Sequence, residues 1–178
     1  MFSVITNPLI RQGAVLVVLL GLGCGYRYVD SRGVFGPDVS RIEIDPLQNN
    51  SSEPGFGRML GDALVEEFAR RGILTPVYGG GAAADLVLSG VVHDVEVIPA
   101  AFSSVALTIE DRLLVTLDVS VQNASTGQEV WRHTRLEVRE RFQSSPDVQV
   151  YQSNKEQALR RLTSEIAGRI HDELFQKF

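Results

Sequence analysis

Apolar and polar positions follow two periods along this chain, and the switches between them mark its elements. Residues 41–47 (RIEIDPL) alternate: Ile42 and Ile44 against Glu43 and Asp45, the pattern of a half-buried strand that stops at Pro46. A polar stretch follows at 48–52, where Ser52 is placed to cap a helix with Glu53 and Pro54 in its first turn. Phe56, Met59, Leu60, Ala63, Leu64 and Phe68 then recur at spacings of three and four, which predicts one amphipathic helix. Arg70 and Arg71 suit its C-terminal dipole, and Gly72 is its stop. Residues 73–78 read as a short strand before the break at Gly79, Gly80 and Gly81.

Three longer strands come next. Residues 86–98 are rich in Val and Leu, with Gly90 marking a bulge or a close approach of backbones. In residues 112–122, Leu113, Val115, Leu117, Val119 and Val121 take one face. Arg112, Thr116, Asp118, Ser120 and Gln122 dominate the other. The turn NASTGQ, with Gly127 free to adopt positive φ, leads into a return strand over 129–142. Strict alternation would put Val130, Thr134, Leu136, Val138 and Phe142 on one side of it. Trp131, His133, Arg135, Glu137, Arg139 and Arg141 would lie on the other. After a Pro146-containing loop, Ser153 and Glu156 have the spacing of a capping box. The stripe of Leu159, Leu162, Ile166, Ala167, Ile170, Leu174 and Phe175 predicts a long final helix. Strands with one apolar face and two amphipathic helices imply an α+β two-layer sandwich. Both helices would cover one face of a mostly antiparallel or mixed four-stranded sheet.

The N-terminal segment obeys neither period. Ala14 opens a nine-residue apolar run, AVLVVLLGL, preceded by Arg11. A spanning helix needs about 20 residues, so the run reads instead as the apolar region of a secretory signal. Cys24 follows directly after small residues, Gly21 and Gly23, and is the chain's single cysteine. That is the lipoprotein arrangement, in which the thiol is acylated and becomes the mature N-terminus. Two or three acyl chains, at about 0.8 kcal/mol per buried CH₂, hold a domain at a bilayer without a spanning helix. The expected organisation is a signal peptide over 1–23, a lipidated N-terminus and tether over 24–40, and one domain over 41–178.

Composition narrows the chemistry. Of 178 residues, 17 are basic and 22 acidic, a formal charge of −5, which argues against bulk attraction to nucleic acid. One cysteine excludes an intrachain disulfide and a multi-cysteine zinc site. His93, His133 and His171 are scattered, and no G-x-S-x-G elbow is present. The triple glycine lacks the Lys-Ser/Thr of a phosphate loop. Asp94 and Glu96 share a strand face, but two acids on such a face are ordinarily just solvated. No catalytic residue, metal ligand or cofactor is expected.

The ordered features resemble the LptE family. They are Cys24-Gly25-Tyr26; a short strand; an N-x-S/T loop at 49–52; a helix; Asp85, Leu86, Leu88 and Gly90 as D-L-x-L-x-G; Thr126, Gly127 and Trp131 as T-G-x-x-x-W; and a long C-terminal helix. The likeness spans residues 24–178. It implies an outer-membrane lipoprotein on the periplasmic face that plugs the lumen of an LptD-type β-barrel and aids insertion of lipopolysaccharide at the cell surface. The D-L-x-L-x-G and T-G-x-x-x-W elements also occur in other periplasm-facing lipoproteins. The alternative is therefore a lipoprotein that activates a cell-wall synthase by contact, and a third class is an uncharacterised periplasmic enzyme.

Alternation along the last strand nominates a surface. His133, Arg135, Arg139 and Arg141 would project from one face beside Trp131, with neighbours about 7 Å apart. Arginine's planar fork suits lipid phosphates. The same row also suits contact with the barrel, or pairing with neighbours such as Glu137 and Asp118.

Overall fold

The structure, a computed structural model, describes residues 35–36, 38–77, 84–102 and 108–176. Cys24, the triple glycine and residues 103–107 lie outside them. In chain order the elements are β1 (Arg41–Ile44), β2 (Gln48–Asn49), α1 (Phe56–Arg71), β3 (Thr75–Val77), β4 (Leu86–Phe102), β5 (Thr108–Asn123), β6 (Glu129–Gln143) and α2 (Val148–Gln176). They form a mixed six-stranded sheet of order β3-β1-β4-β5-β6, with β2 paired to β4. The pairs β1–β3, β1–β4 and β2–β4 are parallel, and β4–β5 and β5–β6 antiparallel.

The α+β class with two helices is as expected; the four-stranded sheet is corrected to six. β3 falls within the short strand read at 73–78, which the count of four left out; β2, of two residues, is too short for periodicity to announce. β3 even contains Pro76, which a sheet tolerates at its edge. The long strands also run further than expected, to Phe102, from Thr108 and to Gln143.

Both helix starts differ from the sequence reading. α1 begins after Gly55 (φ 79°), with no side-chain cap. The polar stretch is occupied with itself: Asn49 Oδ1 accepts from the Ser51 N–H (3.2 Å) and hydroxyl (2.6 Å), while Asn49 Nδ2 donates to Glu53 O at 2.9 Å. α2 is capped by Asp147, whose Oδ1 accepts from the N–H groups of Gln149 (2.8 Å) and Val150 (3.2 Å). Ser153 and Glu156 therefore lie inside the helix.

One apolar core fills the space between the layers. Phe56, Leu60, Leu64 and Phe68 of α1 and Leu162, Ile166, Ile170 and Leu174 of α2 are fully buried there. They meet Leu113, Val115, Leu117, Val119 and Val121 of β5. Each such side chain contributes about 1.5–3 kcal/mol. At the outer edge of the sheet, α2 side chains reach the backbone of β6. Arg169 donates to Glu137 O and Arg161 to Arg141 O (3.4 Å each), and Asn154 to Gln143 O (3.0 Å).

The family motifs build this frame. Asp85 Oδ2 accepts from the N–H groups of Ser40 (3.0 Å) and Arg41 (2.9 Å), and Oδ1 pairs with Arg41 Nη2 at 3.1 Å. These bonds tie the entry of β1 to that of β4 and hold the Asp85 carboxyl down at about 2, the Arg41 side chain first and the Ser40 N–H next. Gly90 is the close approach the sequence left open: a Cβ there would sit 2.7 Å from Asp118 O. Asn123 Oδ1 accepts from the N–H groups of Ser125 and Thr126 (3.0 Å each) and Gly127 sits at φ 68°, closing the β5–β6 turn.

Candidate functional site

One face of the sheet carries the helices and the other is left open. On the open side β4 presents Ser89, Val91, Asp94 and Glu96, β5 presents Arg112, Thr116, Asp118 and Ser120, and β6 presents Arg132, Arg135, Arg139 and Arg141. Asp118 is the centre of this face, because both neighbouring strands bulge beside it. On β4 the register slips between Val92 and Asp94, with His93 as the extra residue; on β6 the slip lies across from Leu117 and Val119, at Thr134 and Arg135. Arg135 has φ 55°, the one non-glycine residue at positive φ among those described. Asp118 fastens both bulges. Its Oδ1 accepts from the Arg135 N–H at 2.7 Å, and its Oδ2 lies 3.0 Å from His93 Nε2. Those two bonds, in that order, lower the Asp118 carboxyl below the usual range. A recess of about 370 Å³ lined by His93, Thr116, Asp118 and Arg135 opens over the pair.

The β6 bulge corrects the expected row of cations. A single extra residue reverses which parity faces the core. Before it, Trp131 points to the helices and is 3% exposed; after it, Leu136, Val138 and Phe142 do. His133 goes inward with Trp131, and its Nδ1 lies 2.6 Å from Glu173 Oε2 of α2. Burial alone would raise the Glu173 carboxyl; the hydrogen bonds of His133 and Arg169 outweigh it and lower it. Arg135, Arg139 and Arg141 do share the open face, without His133. Arg139 pairs with Glu137 (2.8 Å) and Arg141 with Glu110 (3.2 Å), so the row is of mixed charge.

Two features escaped the sequence reading. The Asp118 centre depends on bulges that alternation cannot reveal, although apolar residues shifting from odd Trp131 to even Leu136 record the slip. The other is an apolar end. Val97, Ile98, Ile109, Val148 and Val150 are the large exposed apolar residues among those described. Val97 and Ile98 lie opposite Leu113 and Arg112 at the far end of the β4–β5 ladder, and Ile109 O accepts from the Ser144 N–H (3.1 Å) just before α2. Among the described residues no three His, Cys, Asp or Glu side chains are grouped to hold a metal, and no helix is long and apolar enough to cross a membrane.

The molecule is thus a two-layer α+β domain whose motif residues build its frame and whose sheet leaves one face open, of mixed charge. The chain belongs to the LptE family, described as lipopolysaccharide-assembly, whose profile matches residues 39–174. No match emerges among curated proteins. Among solved structures it is similar to rare lipoprotein B from Shewanella oneidensis: 20% identity over 73% of this chain and 93% of that one, TM-score 0.50. It is also similar to an uncharacterized lipoprotein B from Nitrosomonas europaea: 12% identity over 78% and 81%, TM-score 0.53. At these identities the likeness is one of fold.

Proposed function

We propose that this protein is an outer-membrane lipoprotein of the lipopolysaccharide-assembly machinery. It is non-catalytic and works without a cofactor. Residues 1–23 are removed, Cys24 carries the lipid, residues 24–40 form the tether, and residues 41–178 form the working domain on the periplasmic face. The domain plugs and supports an LptD-type β-barrel and aids passage of lipopolysaccharide to the surface. The observation that carries this reading is the family match across nearly the whole domain. The lipoproteins of like fold and the placement of Cys24 support it. An apolar end on an acidic domain is also consistent with a hydrophobic partner rather than nucleic acid.

Within that reading the open face is the contact surface, through Arg135, Arg139 and Arg141, while His133 supports it from beneath. Permanent interfaces of this kind usually bury more than roughly 2,000 Å². Affinity purification from detergent-solubilised membranes should therefore bring down a large β-barrel. A protein that runs alone, or with a membrane-anchored cell-wall synthase, contradicts the proposal. Replacing Arg135, Arg139 and Arg141 together with Ser then separates two uses of the face. Weaker lipopolysaccharide binding marks phosphate contact; unchanged binding with lost co-purification marks contact with the barrel.

A further inference from the structure

Among the described residues, three buried side-chain nitrogens have no hydrogen-bond partner, and two belong to one ring: Nδ1 and Nε2 of His171. His171 is 2% exposed on the inner face of α2. Its neighbours are aromatic. Phe68 of α1 stands edge-on at 5.2 Å, and Phe175, one turn along α2, lies tilted against the ring at 4.7 Å. Phe175 in turn meets Phe35 edge-on at 5.8 Å. Phe35 lies on the lead-in to β1, so the cluster joins the C-terminal turns of α2 to the segment that runs back toward the N-terminus.

A leucine at position 171 would pack here without leaving polar atoms unmatched. Native cores rarely keep such atoms without a use for them. We propose that His171 is a proton-operated catch that holds the Phe35 segment against the end of α2.

In its neutral form the ring packs as one more aromatic side chain. Once protonated it needs a counter-ion, and each acid facing it is already engaged. From α1, Glu67 is held by Arg71 Nε (2.8 Å) and by Arg70. From its own helix, Asp172 Oδ1 is 3.7 Å from His171 Nδ1, beyond hydrogen-bond range, and is taken by Arg71 Nη2 at 3.0 Å. The remaining neighbouring charge, Arg71 itself, repels a cation. Burial first, then Arg71, accordingly push the imidazole below its usual 6.5. A charged ring leaves the cluster for water, Phe175 loses its support, and Phe35 is released. If Cys24 carries lipid, as proposed above, release loosens the join between the lead-in to β1 and the end of α2.

The catch is tested on the full-length protein in detergent by hydrogen exchange at about pH 7.5 and about pH 5.5, expressed as protection factors. Acidification should lower protection of the amides of Ile170, His171, Leu174 and Phe175 severalfold, because a buried group that titrates below its free value favours opening once the medium protonates it. Amides of Val115, Val119 and Val121 in β5 should hold. His171→Leu should abolish the difference. Equal protection at both pH values, or the same loss in His171→Leu, overturns the proposal. An NMR titration of the wild-type imidazole gives a reading independent of the variant's folding: a midpoint below 6.5 supports the catch and one at or above 6.5 refutes it. Phe35→Ala, which leaves His171 in place, should make the chain near residue 35 protease-sensitive at both pH values; sensitivity unchanged from wild type contradicts the role given to Phe35. None of these measurements depends on lipidation.

Discussion

Two glycines of this chain should respond in opposite ways to the same methyl group. At Gly90 an added Cβ would lie 2.7 Å from Asp118 O and 3.0 Å from Leu47 Cδ2, so strands β4 and β5 must part to admit it. Gly90→Ala should lose about 1–3 kcal/mol in denaturant unfolding, the ordinary range for overpacking. At Gly61, inside α1, an added Cβ meets nothing within 4 Å. Gly61→Ala should gain about 0.5–1 kcal/mol, because alanine restricts the unfolded chain and favours helix. Asp85 offers a pH-resolved case. Its carboxyl falls from 3.8 to about 2 on folding, so the unfolded chain binds the proton more readily. The stabilisation is fully present above the unfolded value and is lost as pH falls from about 4 toward 2. Asp85→Asn should therefore flatten the acid arm of the stability curve and change its slope little near neutrality.

At the scale of elements, α1, α2 and the β5 alternation were legible because each repeats its pattern for three turns or more, or for five inward positions. What the sequence concealed was parity. His93 and the Thr134–Arg135 pair each insert one residue, and each slip reassigns every side chain beyond it. The cation row was thus misread at His133 and Trp131 but sound for Arg135, Arg139 and Arg141. The cap of α2 moved for a related reason: Asp147 and Ser153 are both good caps, and Ser145, Pro146 and Asp147 already form the turn that α2 leaves. Asp118 is the test of this level. Asp118→Ala removes the acceptor for the Arg135 N–H and should cost about 1.5–3 kcal/mol, the range for a charged hydrogen bond. Arg135→Gly removes the strain of positive φ and should leave stability equal or higher in the same unfolding assay, even though a cation is lost.

For the whole molecule, the family and the α+β class were readable from the order of motifs, and the Asp118 centre was not. The motif residues Asp85, Gly90 and Gly127 serve the frame, so their presence announces the fold. A surface of paired charges such as Arg139 with Glu137 leaves little trace in any pattern. The bonds from Arg161, Arg169 and Asn154 to β6 have a further consequence at this scale. β6 ends the sheet over 15 residues, long enough for the same strand of another molecule to pair with it and for polymers to grow. The side chains laid along its outer carbonyls occupy the acceptors such growth needs, and Glu140 and Glu173 steady the two arginines there. Replacing Arg161 and Arg169 together with Ala should change unfolding free energy by under about 1 kcal/mol, as exposed contacts do. The same pair should shorten the lag before light scattering rises in concentrated solution. Because this cover is carried on a helix, partial loosening of α2 would expose a sticky edge before the sheet itself came apart.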